Sequence, residues 1–289
     1  MGKREPGMTT VSSMAARNRL DTHYEREKRL AARIMNAPAG ERAEVSLGAY
    51  DELFSTITWH DGHHAGAERE AKLREIYAPY LRRVGPGDEV LEVGCGLGEQ
   101  ARWFAERCRR YTGIDISEEV LTLRDTLPEN VDLRIVDAVN LHPFDDDSFD
   151  VVFSSQLVEH LHPEDVPVHM EEMARVLRPG GRYMLETPNR VTGPHDVSRA
   201  FDDVATCFHL KEWTNGEILQ VMREAGFRRF RSPLFRQAAY DRNPRLAGLA
   251  EFPTDWKRPV ESLVGRLPAK RRQRLGTALR LRITLEAWV

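Results

Sequence analysis

Apolar and polar positions along the chain follow two periods, one typical of strands and one typical of helices. Segments of strand length are predicted at residues 88–94, 110–115, 131–136, 149–155, 181–187 and 227–232. Segments with helical spacing of apolar side chains lie between them, at residues 99–108, 117–126, 164–177 and 215–225. Strands that alternate with helices are typical of a parallel sheet with crossover helices on both faces. The pattern therefore predicts an α/β fold, and alternation at residues 279–288 predicts one further strand.

The N-terminal part of the chain lacks this alternation. Residues 1–20 are polar and carry no periodic apolar pattern, so we expect a disordered tail. Helix-forming residues at 21–35, an apolar patch at 50–59 and an amphipathic run at 65–84 follow. We therefore predict N-terminal helices and a small helical lid over residues 21–84, and the α/β domain over residues 85–289.

Two segments of the predicted α/β domain are longer than its connections require: residues 187–213 and residues 232–278. Ligands in open α/β sheets bind outside the carboxyl ends of the strands, so the first insertion is expected to border the active site. The second insertion is basic, with Lys257, Arg258, Arg266, Lys270, Arg271, Arg272 and Arg274. Either a solvated helix face or a surface for a phosphorylated, nucleotide-linked or lipid-linked acceptor explains this charge.

Composition narrows the functional classes. The 289 residues suffice for one large domain, and the formal net charge of −3 gives no overall attraction to nucleic acid. No apolar run reaches membrane-spanning length, and the N-terminus lacks the apolar core of a signal peptide. Three widely spaced cysteines, Cys95, Cys108 and Cys207, are typical of a reducing compartment. We therefore expect a cytoplasmic protein with a small-molecule partner and no transmembrane segment.

The segment at residues 89–100 has the most specific pattern in the chain. An apolar run ends in alternating glycines, and a helix-forming sequence follows at once. This predicts a buried strand that turns into a helix and presents backbone N–H groups to a ligand. Glycine is needed because a Cβ would block positive φ or hold the ligand away. A dinucleotide-binding motif would place its third glycine at position 99, but that residue is Glu and the glycine is Gly98.

Glycines at 94, 96 and 98 behind an acidic strand residue resemble motif I of the class I S-adenosylmethionine-dependent methyltransferases. Further motifs follow in the family's order, at residues 111–117, 135–138, 144–152 and 176–181. The resemblance covers about residues 81–230 and is greatest to the methyltransferase type 11 group, which includes ubiquinone- and menaquinone-biosynthesis enzymes. It implies a Rossmann-like, seven-stranded, mostly parallel sheet in the order 3-2-1-4-5-7-6, with the last strand antiparallel between strands five and six.

The resemblance also implies which residues bind S-adenosylmethionine. The family pattern places the glycine loop at the methionyl portion, Glu92 near the amino end, Asp115 at the ribose diol and Asp137 at the adenine amino group. An isolated Asp at a strand end is usually a cap or turn residue, but the ordered series of motifs favours binding. The predicted cofactor residues are Glu92, Gly94, Cys95, Gly96, Gly98, Asp115, Ile116, Asp137, Ala138 and Gln156.

Methyl transfer requires the acceptor and donor to be aligned and water to be excluded. A hydroxyl acceptor must also lose a proton, and histidine has a neutral form at physiological pH. His160 follows strand four, while His195 and His209 lie in the insertion after strand five. We expect His195 or His209 to act rather than His160, because Glu159–His160 recurs in the superfamily among enzymes with different acceptors. A structural, hydrogen-bonded role is the alternative for each histidine.

A metal site is a second hypothesis for the same region. Some quinone-biosynthesis O-methyltransferases carry Glu-x-x-Glu-His here and hold a divalent ion with it. This chain has Gln156 in place of the first Glu, which weakens a magnesium site but leaves Glu159 and His160 as candidate ligands. A transition-metal site or a mobile gate loop is also compatible with His60, Asp61, His63 and His64.

The function predicted from these motifs is methylation of a hydroxyl on a small molecule, a saccharide or secondary metabolite of a polysaccharide or natural-product pathway. Expected acceptor contacts are Tyr50, Trp59, His60, Asn189, Asp196 and Trp213. The alternatives are N- or C-methylation of a small molecule, methylation of RNA or protein, and a non-catalytic cofactor-binding scaffold. Residues 154–157 lack the Asn-Pro-Pro-Tyr type of motif used on planar amines, and no RNA-binding module accompanies the basic segment. A monomer and a homodimer both stay open.

Overall fold

A computed structural model describes residues 8–56, 67–233, 251–252 and 254–289. Within those ranges one sheet has the order β3-β2-β1-β4-β5-β8-β6-β7. Its strands are β1 (Glu89–Val93), β2 (Arg110–Asp115), β3 (Val131–Ile135), β4 (Phe149–Ser155), β5 (Leu177–Thr187), β6 (Arg229–Pro233), β7 (Glu251–Phe252) and β8 (Ile283–Trp288). Neighbours among β1 to β5 pair in parallel, and β8 is antiparallel to β5 and β6. The predicted order is confirmed: β8 is the predicted seventh strand, and the two-residue β7 extends the edge.

Helices cover both faces of this sheet, and the first helices of the chain pack beside it. They are α1 (Met8–Met35), α2 (Arg42–Thr56), α3 (Ala67–Leu81), α4 (Ala101–Ala105), α5 (Val166–Val176), α6 (Asn215–Glu224), α7 (Lys257–Val264) and α8 (Ala269–Ala278). A 3-10 helix, Glu118–Thr126, replaces the α-helix predicted at 117–126.

The start of α1 corrects the predicted disordered tail. Residues 8–20 are helical, because this stretch contains several good helix formers and neither glycine nor proline. The remaining part of the predicted tail, residues 1–7, lies outside the described residues.

Side chains alternate between the two faces of the sheet, and each face has its own core. On one face Leu91 and Val152 pack with Met170 of α5 and Leu219 of α6. On the other face aromatic rings of α3, α4, β2 and β4 stack, with centroids 4.8 Å apart for Phe104–Phe153, 5.1 Å for Tyr80–Phe153 and 5.4 Å for Phe104–Tyr111. Burial on both faces makes the sheet a rigid base, so the carboxyl ends of its strands are held in place.

The N-terminal helices pack against the segment that follows β5. Leu30 and Ile34 of α1 form a buried cluster with Leu53 of α2 and with Phe208. At the start of α2, Arg42 donates to Asp165, at 2.5 Å, just ahead of α5. These contacts place α2 over the carboxyl edge of the sheet.

Candidate functional site

The turn after β1 is built by three glycines with positive φ. The φ angles of Gly94, Gly96 and Gly98 are 76°, 56° and 69°, a region that only glycine enters freely. A Cβ at Gly94 would come within 3.0 Å of Leu157, whereas a Cβ at Gly96 would point into open space. The loop therefore forms a cradle in which the backbone of Gly96 is accessible to a ligand.

Two carboxylates at the neighbouring strand ends are held by backbone amides. Asp115, which ends β2, accepts from the N–H of Gly96 at 2.9 Å and from that of Ser117 at 3.1 Å. Asp137, just past β3, accepts from the N–H of Val139 at 3.0 Å. Each carboxylate oxygen keeps a further lone pair for a ligand. The turn-residue role and a binding role are therefore compatible at both positions.

One cavity of about 960 Å³ joins this edge to α2 and to the residues after β4. This volume lies in the range of cofactor and small-molecule sites. Of the predicted cofactor residues, the lining includes Gly94, Gly96, Asp115, Ile116, Asp137, Ala138 and Gln156. The opposite wall includes Ala43, Ser46, Leu47, Tyr50, Asp51 and Ser55 of α2, with His160, Leu161 and His162 beside it. One wall of the cavity is thus formed by the predicted cofactor residues, and the other by side chains of α2 and of the segment after β4.

Three predicted cofactor residues lie outside the cavity lining: Glu92 within β1, and Cys95 and Gly98 within the loop. Glu92 accepts from the hydroxyl of Tyr77 at 2.9 Å, from Gln100 Nε2 at 2.8 Å and from the hydroxyl of Tyr111. Burial raises the pKa of Glu92 to about 7, although these donors favour the ionised form. Glu92 thus supports the loop through these bonds, and its predicted place near the amino end of the cofactor stays a prediction.

The backbone of Gln156 is strained, and the amino-acid sequence does not predict this strain. Its φ is 57°, in the left-handed region, and its N–H donates to the carbonyl of Glu186 at 2.9 Å. Such strained non-glycine residues cluster at functional sites, where the surrounding structure holds them. Here β4 and β5 hold Gln156 at the cavity lining.

The three candidate histidines are arranged differently from the expectation. His160 lines the cavity, and its Nδ1 lies 2.9 Å from the carbonyl oxygen of Phe208. A carbonyl only accepts, so Nδ1 carries the proton and the lone pair of the neutral ring is on Nε2. His209 packs edge-on against His160, with ring centroids 5.0 Å apart. Of the three, His160 lines the cavity, whereas His195 and His209 lie outside the lining. The geometry therefore favours His160, and the catalytic role predicted for His195 or His209 stays a prediction.

Two buried carboxylates surround this histidine pair. Glu212 Oε1 accepts from His209 Nδ1 at 2.8 Å and lies 3.2 Å from His195 Nδ1. Burial favours the neutral form of Glu212, but hydrogen bonds from these histidines lower its pKa to about 2. Burial raises the pKa of Glu159 to about 7. Glu159 Oε2 accepts from Thr187 at 2.8 Å, whereas Oε1 is buried without a hydrogen-bond partner among the described residues.

Among the predicted acceptor contacts, only Tyr50 lines the cavity in the part of the chain that the structure describes. Asn189 is buried and donates to Glu261 and to the carbonyl of Leu281, while Trp213 belongs to the sheet core. Asp196 accepts from the N–H of Ser198 at 3.1 Å and caps a short 3-10 helix. These three expectations are corrected, because the side chains stabilise the segment after β5 instead of facing the cavity. Trp59, His60, Asp61, His63 and His64 lie outside the described residues.

The wall formed by α2 contains residues that the sequence analysis missed. Besides the predicted Tyr50, its cavity-lining residues include Ala43, Ser46, Leu47 and Asp51, and these five follow the spacing i, i+3, i+4, i+7 and i+8 of one helix face. That spacing is visible in the sequence. The sequence predicted only an apolar patch at residues 50–59 here, because the polar Ser46 and Asp51 interrupt the apolar stripe of the helix face.

In the part of the chain that the structure describes, no helix has both the length and the apolar character needed to cross a membrane.

Comparisons with known proteins agree with this geometry. The family model described as a methyltransferase domain matches residues 91–185. A probable S-adenosylmethionine-dependent methyltransferase of Mycolicibacterium smegmatis is 37% identical over 153 residues, which are 53% of this chain and 57% of the relative. The methyltransferase GfsG of Streptomyces halstedii is 37% identical over 156 residues, 51% of this chain and 52% of the relative. The chain thus matches little more than half the length of these curated relatives.

A solved structure shows the same fold. The crystal structure of Burkholderia thailandensis 1,6-didemethyltoxoflavin-N1-methyltransferase is similar with a TM-score of 0.51 at 21% identity, covering 70% of this chain and 86% of that chain. The glycine loop, the order of the sheet and the match at residues 91–185 together show that this chain contains a domain of the class I S-adenosylmethionine-dependent methyltransferase type.

Proposed function

We propose that this protein transfers the methyl group of S-adenosylmethionine to a hydroxyl of a small molecule, with a saccharide or a secondary metabolite as the acceptor. The observation that carries the proposal is the single cavity that joins the glycine-loop edge to His160. A methyl donor and an acceptor must meet in one space from which water is excluded. The imidazole of His160, on the acceptor side of the cavity, supports a hydroxyl as the group that receives the methyl.

The residues at the glycine-loop edge fit S-adenosylmethionine. A cradle that a Cβ at Gly96 would fill lies beside two carboxylates, as the methionyl, ribose and adenine parts of the cofactor require. In this proposal Asp115 accepts from the ribose diol, and Asp137 accepts from the adenine amino group beside Ala138. Gln156 lies at the sulfonium end. The cofactor supplies a methyl group that the positive sulphur activates for transfer.

The acceptor side combines apolar contacts with hydrogen-bonding groups. Leu47 and Tyr50 offer apolar surface, whereas Ser46, Asp51 and Ser55 offer hydroxyl and carboxylate partners. Such a mixture suits an acceptor with several hydroxyls on a compact frame. The reacting hydroxyl must lose a proton, and the Nε2 lone pair of His160 is the basic group that the cavity wall provides.

The test is a methyl-transfer screen with labelled S-adenosylmethionine against pooled sugars, glycosides, phenolics and nucleosides, each with added magnesium and with EDTA. We expect label in a hydroxyl-bearing pool and at least tenfold less label with Asp115→Ala protein at a cofactor concentration below the wild-type Kd. Transfer that persists when the hydroxyls of the acceptor are blocked would favour N- or C-methylation. Cofactor binding without transfer to any pool would favour the non-catalytic scaffold.

A further inference from the structure

We infer that Glu159, His160 and His209 form a binding site for one divalent transition-metal ion at the wall of the cavity. One potential ligand atom from each of the three residues lies within 4.8 Å of the other two. Glu159 and His160 follow β4, whereas His209 comes from the segment after β5, so the fold brings the set together. The inference rests on the proposed function, because it assigns the ion to the acceptor side of the same cavity.

Both histidines already have the tautomer that a metal ligand needs. The Nδ1–H of His160 donates to the carbonyl of Phe208 at 2.9 Å, and the Nδ1–H of His209 donates to Glu212 at 2.8 Å. Metal-bound histidines almost always donate their other ring N–H to a backbone carbonyl or a carboxylate in this way. These bonds orient the rings and place both lone pairs on Nε2.

Glu159 supplies an independent indication of a positive ligand. Its Oε2 accepts from Thr187, but its Oε1 is buried and has no hydrogen-bond partner among the described residues. A buried carboxylate oxygen without a partner is costly, and native structures usually satisfy such atoms with an ion or water. A cation held between Glu159 and the two imidazoles would satisfy this oxygen.

The ligand set determines which ion fits. Two imidazoles and one carboxylate are typical of Zn²⁺ and of other first-row transition metals, whereas Mg²⁺ prefers oxygen ligands. The set also differs from the Glu-x-x-Glu-His pattern, because His209 provides a ligand that the motif around Gln156 does not. When bound, such an ion would lower the pKa of a coordinated hydroxyl, as an O-methylation acceptor requires. Because it would occupy the Nε2 lone pair of His160, the ion would replace this imidazole as the group that activates the hydroxyl in the metal-loaded protein.

The experiment is calorimetry on the full chain after removal of metals with EDTA and dialysis. We expect one equivalent of Zn²⁺ to bind at least tenfold more tightly than Mg²⁺. Glu159→Gln and His209→Gln should each weaken Zn²⁺ binding at least tenfold, with S-adenosylmethionine affinity retained. Co²⁺ added to the wild type should give visible absorption bands that Zn²⁺ abolishes, which tests the site even where a variant fails to fold.

Two control variants address other sources of binding. His142→Ala removes an exposed histidine between β3 and β4, and Zn²⁺ affinity should stay within twofold of the wild type. A combined His60→Ala, His63→Ala and His64→Ala variant should also retain the ion. If this triple variant loses the ion while Glu159→Gln keeps it, the inference is overturned.

The two proposals fail in different ways. Absence of Zn²⁺ and Co²⁺ binding to the wild type, or equal binding by Glu159→Gln and His209→Gln, would overturn the metal site whatever the transfer assay shows. The proposed function fails instead if neither the metal-loaded nor the metal-free protein methylates a hydroxyl acceptor.

Discussion

At the scale of single residues, Asp115 connects the glycine loop to the cavity. Its carboxylate fixes Gly96 and Ser117 through their backbone amides and lines the cavity at the same time. The residue therefore orders the loop and offers a charged acceptor to a ligand hydroxyl.

Replacement of Asp115 by alanine should weaken S-adenosylmethionine binding by ~1.5–3 kcal/mol, because a ligand diol loses a charged hydrogen-bond acceptor. Calorimetry with the purified protein measures this directly. Asp132→Ala is the matched control, since Asp132 pairs with Arg134 on β3 and lies outside the cavity lining. Equal affinity in wild type and Asp115→Ala would contradict the cofactor assignment.

Replacement of His160 by alanine should lower the rate of methyl transfer by about a hundredfold or more, because the acceptor hydroxyl loses its polar partner. S-adenosylmethionine affinity should stay within twofold. His195→Ala should have a smaller effect on the rate, since His195 lies outside the cavity. A full rate in His160→Ala, measured at saturating acceptor, would show that the site does not use this imidazole.

The buried carboxyl of Glu92 makes stability depend on pH. Burial raises its pKa from 4.5 to about 7, so in that window the folded protein holds a proton that the unfolded chain has released. Its contribution to stability is therefore complete below pH 4.5 and is lost as the pH rises through 7.

Urea unfolding of wild type and Glu92→Gln at pH 5 and pH 8 tests this. From pH 5 to pH 8, the difference in unfolding free energy should shift in favour of the variant by up to about 3 kcal/mol. A difference that does not change between the two pH values would mean that Glu92 titrates near its ordinary pKa.

At the scale of elements, α2 determines the acceptor side of the cavity. One face of the helix lines the cavity, and the ion pair of Arg42 with Asp165 fastens its first turn to the segment before α5. The buried cluster of Leu53 with Leu30 and Phe208 fastens its last turns. The helix is thus a fixed wall of the cavity, and in the proposed function its cavity-lining side chains select the acceptor.

A larger side chain on this wall should therefore change acceptor binding alone. Leu47→Trp should raise the KM for the acceptor by roughly tenfold, because it fills part of the acceptor space. The affinity for S-adenosylmethionine should not change. Glu44→Trp on the exposed face of the same helix is the control. Steady-state kinetics with the acceptor from the screen would contradict this role of α2 if both variants gave the same KM.

At the scale of the whole molecule, the sheet brings segments that are distant in the sequence together at one edge. The observed bounds of β2 and β4 equal the predicted ranges 110–115 and 149–155, because burial on both faces leaves a strong local apolar pattern. Other bounds differ where pairing decides them. β5 begins at Leu177, before the predicted residue 181, because Leu177 pairs with Phe149 ahead of a register shift. The helix predicted at 99–108 is shorter, Ala101–Ala105, as tight turns flank it.

The sequence by itself determined the α/β alternation, the glycine turn and the strand-end carboxylates, since each depends on residues close together in the chain. The family resemblance added the strand order. Only the tertiary structure decided that His160 lines the cavity with His209 behind it, that Glu92 supports the loop through its hydrogen bonds, and that Asn189 and Trp213 are structural. His160 bonds a carbonyl 48 residues away, and Asn189 bonds Glu261 at a separation of 72 residues. No local pattern specifies such contacts, because they form only when the strand ends and the two insertions pack on one edge of the sheet.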